Sequence, residues 1–184
     1  MNKSDDSLFD LGTSVVQPFD RSMISAALRV SNLAFTEQES LGFRFCLVSI
    51  DLPEQLGPGQ LAGFYSVQGP SQDIYVVQFG GVTVFQKDEA GRALQICADW
   101  NRGNSLLTAH LTTYQPNQMA PEDVARVTGL AIDDLPMEEG KMIELRAAAS
   151  FAADVHQGLV DEFTRTTTEA AMVFWLWAVD QYNL

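Results

Sequence analysis

Histidine and cysteine are scarce in this sequence of 184 residues. It has two cysteines, Cys46 and Cys97, and two histidines, His110 and His156. Two isolated thiols far apart in the chain form neither a disulfide framework nor a zinc site. The usual motifs of phosphate loops, metalloproteases and serine nucleophiles are also missing. We therefore expect no cofactor, no metal site, and two reduced, buried cysteines.

Long apolar runs are also missing. The longest uninterrupted run, residues 170–179, has ten residues, whereas a membrane-spanning helix needs about 20. Residues 1–6 lack the basic and then apolar pattern of a signal peptide. These features predict a cytoplasmic protein without a membrane span.

Basic residues are few compared with acidic ones. Eleven lysines and arginines face 24 aspartates and glutamates, for a net charge of −13. Such a chain repels phosphate, so we expect no nucleic-acid partner. A basic or apolar surface of another protein is the expected partner.

The composition is that of a folded protein, with 46% hydrophobic and 19% charged residues. The length fits one domain. We predict a flexible arm at 1–18 and a single α+β domain at 19–184. Within it, 19–116 would form a helix plus an antiparallel sheet, and 117–184 a helical part.

The first predicted helix covers residues 20–35. Its apolar residues share one face, while Arg21, Ser25 and Arg29 lie away from it. Asp20 or Ser22 is expected to cap its first turn.

Six predicted strands follow, separated by turns rich in glycine, proline and aspartate. They are residues 42–50, 61–68, 73–79, 82–87, 93–100 and 106–114. Because the connections are too short for parallel crossovers, the strands must pair as antiparallel hairpins. The prediction is a sheet of five or six strands with helices on one face.

The last part of the chain is predicted to be helical. A short helix would begin at Pro121, and a long one would run from Pro136 to the C-terminus. Apolar residues from Met142 to Leu184 recur at spacings of three and four, with His156 on the same seam. Poor helix formers at Gly158 and 166–168 predict a break, so this part is either one helix or a hairpin.

Residues 170–179 are apolar on every side of the predicted helix. Such a helix is either buried under the sheet or meets a partner on its second side. Aromatic side chains are common anchors of protein interfaces. Phe174, Trp175 and Trp177 are therefore the predicted partner-binding residues.

An enzyme is the first alternative. On adjacent hairpin strands, Cys97 and His110 would point to the same face and could form a nucleophile and base of a small hydrolase. A second alternative is a structural subunit of a larger assembly, such as a virion or secretion apparatus, in which the long helix packs between copies.

A Trp-Asn pair inside Ala98-Asp99-Trp100-Asn101 is followed by a strand to Tyr114 and a helix start at residues 121–130. This arrangement resembles the second half of YbjN-type and type III secretion chaperone-like domains. The resemblance implies an acidic α+β protein that dimerises and binds segments of other proteins. That family places a helix between its early and late strands, where residues 88–92 here predict a turn. The leading interpretation is a non-enzymatic chaperone, adaptor or inhibitor that forms a homo-oligomer.

Overall fold

The computed structural model describes residues 16–40, 43–54, 60–80, 83–114, 139–151 and 154–184. The strands in these ranges are β1 (Val16–Gln17), β2 (Phe35–Ser40), β3 (Phe43–Asp51), β4 (Gln60–Gln68), β5 (Ile74–Gly80), β6 (Val84–Phe85), β7 (Thr108–Tyr114), β8 (Gly140–Ser150) and β9 (Val155–His156). The helices are α1 (Arg21–Val30), α2 (Ala90–Gly103) and α3 (Gln157–Tyr182). A 3-10 turn, Lys87–Glu89, precedes α2.

One antiparallel sheet dominates the described residues and confirms the predicted α+β class. It has seven strands rather than five or six, and β2, β3, β4, β5 and β8 follow one another across it. β5 pairs with residues 145–150 of β8, and β6 pairs with 141–142. β7 pairs with residues 140–146 of β8, so it must occupy the opposite edge of that strand.

All three helices of the described ranges pack on one face of the sheet, as predicted. Tyr75 projects from β5 to Thr164 of α3, with 2.8 Å between the hydroxyl oxygens. Ser25 of α1 meets Cys46 of β3 on the same face. The buried residues of α2 belong to the same hydrophobic core. The core therefore lies in one layer between sheet and helices.

The start of α1 is as predicted. Asp20 is its N-cap, and the side chain accepts hydrogen bonds from the backbone of Ser22 at 2.7 Å and Met23 at 3.3 Å. The helix ends earlier than predicted, at Val30, and the chain turns at residues 31–34. β2 then begins at Phe35, the residue at which the predicted helix ends.

The predicted strand at residues 93–100 is wrong, because this segment lies within α2. Its buried residues follow a helical spacing of three and four and are Ala93, Ile96, Cys97 and Trp100. Leu94 is exposed, whereas a strand would place it on the same face as the buried Ile96. The predicted turn at 88–92 is in fact the 3-10 turn and the first residues of α2.

The helix predicted to run from Pro136 to the C-terminus is wrong over residues 140–150, which form β8. The region 117–184 is therefore not wholly helical. Ile143, Leu145 and Ala147 alternate toward the core and are buried. Residues 147–149 are all alanine, the best helix former, yet this stretch pairs with β5. Tertiary pairing outweighs the local preference here.

α3 is one continuous helix of 26 residues. The break predicted at 166–168 does not occur, whereas the helix begins at Gln157, directly before the other predicted position, Gly158. Each of the three threonines bonds its hydroxyl to a backbone carbonyl four residues earlier at 2.7 Å, as Thr166 does to Glu162. His156 is not part of an apolar seam but the N-cap, and its Nδ1 accepts from the Gly158 amide at 3.0 Å.

The remaining predictions concern the chain start, residues 121–130 and the cysteines. β1 pairs with β9, so residues 16–17 of the predicted arm belong to a two-stranded sheet. The short helix predicted from Pro121 lies outside the described residues, as do residues 1–15 of the arm. Cys46 and Cys97 are unbridged and buried, which confirms the prediction.

Candidate functional site

The predicted binding residues lie in the second half of α3, where the helix separates into two faces. The inward face packs on the sheet and on the neighbouring helices. Its fully buried residues in α3 are Val160, Thr164, Thr167, Ala171, Phe174, Trp175 and Ala178. The sequence alone had indicated a segment that is apolar on every side, whereas the structure gives each side its own environment.

Phe174 and Trp175 lie wholly inside the core. The Phe174 ring stands edge-on to Trp100 of α2, with 5.1 Å between centroids, and to Trp175 at 4.9 Å. The indole Nε1 of Trp175 has no hydrogen-bond partner among the described residues. Because both side chains have no exposed surface, neither is available to a partner in this structure.

Trp177 is half-buried and keeps part of its surface free. Its ring packs on Trp100 at 5.5 Å and on Tyr182 at 5.7 Å between centroids. Val173 and Leu176 are 55% and 37% exposed on the outward side of the helix. The three residues Val173, Leu176 and Trp177 are spaced i, i+3 and i+4 and lie on adjacent positions. We call them the apolar stripe.

An acidic residue lies at each end of the apolar stripe. Glu169 lies one turn before Val173, and Asp180 lies one turn after Leu176, on the outward side of α3. The whole helix carries one arginine and four acids, for a net charge of −3. That arginine, Arg165, is held by Glu162 and Glu169 at 2.8 Å. The stripe is thus an apolar surface with negatively charged surroundings.

Contacts with α2 hold the C-terminal end of α3 in place. The Arg92 guanidinium donates to the backbone carbonyls of Tyr182 and Asn183. The Tyr182 hydroxyl donates to the Asp99 carboxylate, and the pKa of Asp99 is lowered by hydrogen bonds from Gln95 and Tyr182. These contacts hold the last residues of α3, Tyr182 and Asn183, against α2.

The structure does not bring Cys97 and His110 together as a catalytic pair. Cys97 lies in α2 and faces the core, where burial raises the pKa of its thiol to about 11. His110 lies in β7 between Ala109 and Leu111, which point to the helices, so its exposed ring is on the other face of the sheet. The ring Nε2 lies 2.8 Å from the Thr108 hydroxyl. The two groups are separated by the sheet.

Within the described ranges, no group of three or more histidine, cysteine, aspartate or glutamate side chains is arranged to hold a metal ion. None of the helices described is both long enough and apolar enough to span a membrane.

No family model and no curated protein matches this chain. The candidate surface therefore rests on the geometry of α3.

Sequence reasoning did not find Val173 and Leu176. The predicted seam included Val173, but as a core or interface position of a longer helix. Glu169 and Asp180 were the available signal, since two acids eleven residues apart lie on the same side of an α-helix. They mark the outward side between them, where Val173 and Leu176 lie.

Proposed function

We propose that this protein is a non-enzymatic protein-binding module of chaperone or adaptor type that binds a segment of another protein on the apolar stripe. One observation carries the proposal. Val173, Leu176 and Trp177 present adjacent apolar surface on a helix whose other apolar side chains are mostly in the core. An exposed apolar patch edged by polar residues is typical of a protein interaction site.

The charge around the stripe favours a partner segment with basic residues. An amphipathic helix with apolar anchors at i, i+3 and i+4 and lysine or arginine beside them would complement both features. Two copies of α3 would instead bring their own acids together, at a cost in electrostatic energy. The homo-oligomer that the sequence favours is therefore expected to form through another surface.

The position of α2 in the chain fits the resemblance to chaperone-like domains and supports this proposal. α2 lies between the early strands and β7, where those domains have a helix. The Trp-Asn pair attaches α2 to β7: Trp100 Nε1 donates to the Leu107 carbonyl at 2.7 Å, and the Asn101 amide bonds to both backbone groups of Ala109. These residues have a structural role, so partner recognition is left to other surfaces.

A synthetic amphipathic peptide with leucine on one face and lysine on the other tests the proposal. Its binding would be measured by fluorescence anisotropy with the wild type and with the double variant Val173→Ser/Leu176→Ser. Burial of one aliphatic side chain contributes about 1.5–3 kcal/mol, so the variant should bind at least about tenfold more weakly. Leu159→Ser is the matched control, because Leu159 is 58% exposed on the same helix but distant from the stripe.

Three results would contradict the proposal: equal binding by the double variant, equal loss in the control, or equally tight binding of a peptide with glutamate in place of lysine. Sedimentation equilibrium of the same variants addresses the structural-subunit alternative. If the wild type self-associates and Val173→Ser/Leu176→Ser is monomeric, a second copy occupies the stripe instead of a foreign segment.

A further inference from the structure

A cavity of about 680 Å³ opens between α1 and the β2–β3 corner of the sheet. One side of α1 forms a wall, because Arg21, Ser25 and Arg29 are spaced four residues apart and all line the cavity. Arg44 of β3 and Glu37 of β2 line it as well. The volume lies in the range of small-molecule sites.

Arginine is concentrated around this cavity although the protein is strongly acidic. The chain has eight arginines, and three of them, Arg21, Arg29 and Arg44, line this one space. The described lining contains two acids, Asp20 and Glu37, so its charge is positive by one while the chain as a whole is at −13. Guanidinium groups match carboxylates and phosphates in shape and form paired hydrogen bonds with them.

The arginines differ in how firmly they are already engaged. Arg21 is paired with Glu37, which also accepts from the buried Ser25 hydroxyl at 3.4 Å. Arg44 pairs with Glu39 at 2.8 Å, with both side chains largely exposed, and such a pair contributes only about 0–1 kcal/mol. Arg29 forms no ion pair with any described residue and lies over the Phe35 ring at 5.5 Å. Arg29 and Arg44 are therefore the two cations that an incoming anion can use.

The rest of the lining provides an apolar surface. Phe19, Phe43 and Val67 all line the cavity, and the Phe43 side chain is 65% exposed. An exposed aromatic side chain in a cavity that is also lined by arginines suits a ligand with a flat apolar body and a charged end. A simple inorganic anion would leave this surface unused.

We propose that this cavity binds a small organic anion, with its carboxylate or phosphate between Arg29 and Arg44 and its apolar body against Phe43. The site is separate from the apolar stripe on α3 and does not depend on the function proposed for that surface. Occupancy would not require a change in the helices, because Arg21, Ser25 and Glu37 are already held in place.

Titration with benzoate and with phenyl phosphate tests the site and distinguishes the two kinds of charged group. Binding would be followed by the NMR shifts of the Val67 methyl groups, with phenol as the uncharged control. At least one anion should give a saturable shift that phenol does not give. Arg29→Gln/Arg44→Gln should weaken that binding about tenfold or more, since a hydrogen bond to a charged group contributes about 1.5–3 kcal/mol.

Arg165→Gln is the control for the loss of a positive charge outside the cavity, because Arg165 is also exposed and ion-paired but belongs to α3. It should bind the anions as the wild type does. The proposal is overturned if neither anion shifts Val67, if phenol binds as tightly, or if Arg165→Gln weakens binding as much as the cavity variant. Phe43→Ser gives a further check, since it keeps both arginines and should still weaken the aromatic anion.

Discussion

Two tyrosine hydroxyls connect the sheet to α3. Tyr75 lies 2.8 Å from the Thr164 hydroxyl, and Tyr65 lies 2.8 Å from the Thr168 hydroxyl. Each threonine donates its own hydrogen to a backbone carbonyl four residues earlier. The tyrosine must therefore be the donor in each pair. Both tyrosines are fully buried. If a threonine acceptor is removed, water therefore cannot replace it as the partner of the tyrosine hydroxyl.

Thr164→Val should destabilise the protein more than the double variant Thr164→Val/Tyr75→Phe. The single change leaves the buried Tyr75 hydroxyl unpaired, at a cost of about 1–3 kcal/mol, whereas removal of both groups is nearly neutral. Urea unfolding measures the difference. Thr166→Val is a control, since the Thr166 hydroxyl bonds only to carbonyls of its own helix among the described residues. Equal losses in the single and double variants would contradict this account.

At the scale of the elements, α2 holds the last turn of α3 through Asp99 and Arg92. Tyr182→Phe removes the hydroxyl that donates to Asp99, while Asp99 keeps Arg102 at 3.0 Å. The last turn of α3 is expected to open more often, because local stability varies along a helix.

Hydrogen exchange followed by mass spectrometry would measure this change. The amides of residues 178–183 should exchange a few-fold faster in Tyr182→Phe, and those of residues 157–165 should be unchanged. Gln181→Ala serves as a control in the same turn, because Gln181 is exposed and bonds only to the neighbouring Asp180 among the described residues. A uniform change along the helix would contradict a local role for Tyr182.

At the scale of the whole molecule, the buried cysteine thiols and tyrosine hydroxyls of the core make stability depend on pH in the alkaline range. Burial raises the pKa values of Cys46, Cys97, Tyr65 and Tyr75 above their ordinary values. The folded protein therefore keeps these protons to higher pH than the unfolded chain does. The contribution of the cysteines is fully present below about pH 9 and that of the tyrosines below about pH 10, and each is lost as pH rises toward the raised pKa of the folded state.

The free energy of unfolding should therefore fall between pH 8 and pH 10.5, as measured by urea unfolding at constant salt. For Cys97, whose thiol pKa rises from 9.0 to about 11, the loss is on the order of 1–2 kcal/mol. Cys97→Ala removes this thiol, so the free energy of unfolding of the variant should fall less than that of the wild type over the same pH range. An identical decrease in the wild type and this variant would show that the Cys97 thiol is not responsible.

Local features of the chain were enough to predict several elements. Asp20 followed by an amphipathic pattern predicts the start of α1, since capping and the 3.6-residue period are properties of neighbouring residues. Short turns rich in glycine and proline predict the antiparallel hairpins for the same reason. The apolar surroundings of Cys46 and Cys97 correctly predict that both are buried.

The assignment of residues 93–100 and 140–150 depended on tertiary structure. Ile96 and Trp100 are four residues apart and fit both a strand and a helix, and only the burial of Ala93 and Cys97 distinguishes the two. The alanines of β8 favour a helix, but that strand lies between β5 and β7 and pairs with both.

The two candidate sites depend partly on local sequence and partly on tertiary structure. The sequence by itself placed Arg21, Ser25 and Arg29 on one face of a helix, but it did not indicate that this face borders a cavity. Arg44 joins them only because β3 pairs with β2 beside α1. In α3, the sequence determined an apolar helix, while packing against α2 and the sheet decided that Phe174 and Trp175 are buried and that Val173 and Leu176 are exposed. Helical periodicity is a local property, whereas the side of a helix that is covered depends on residues far away in the chain.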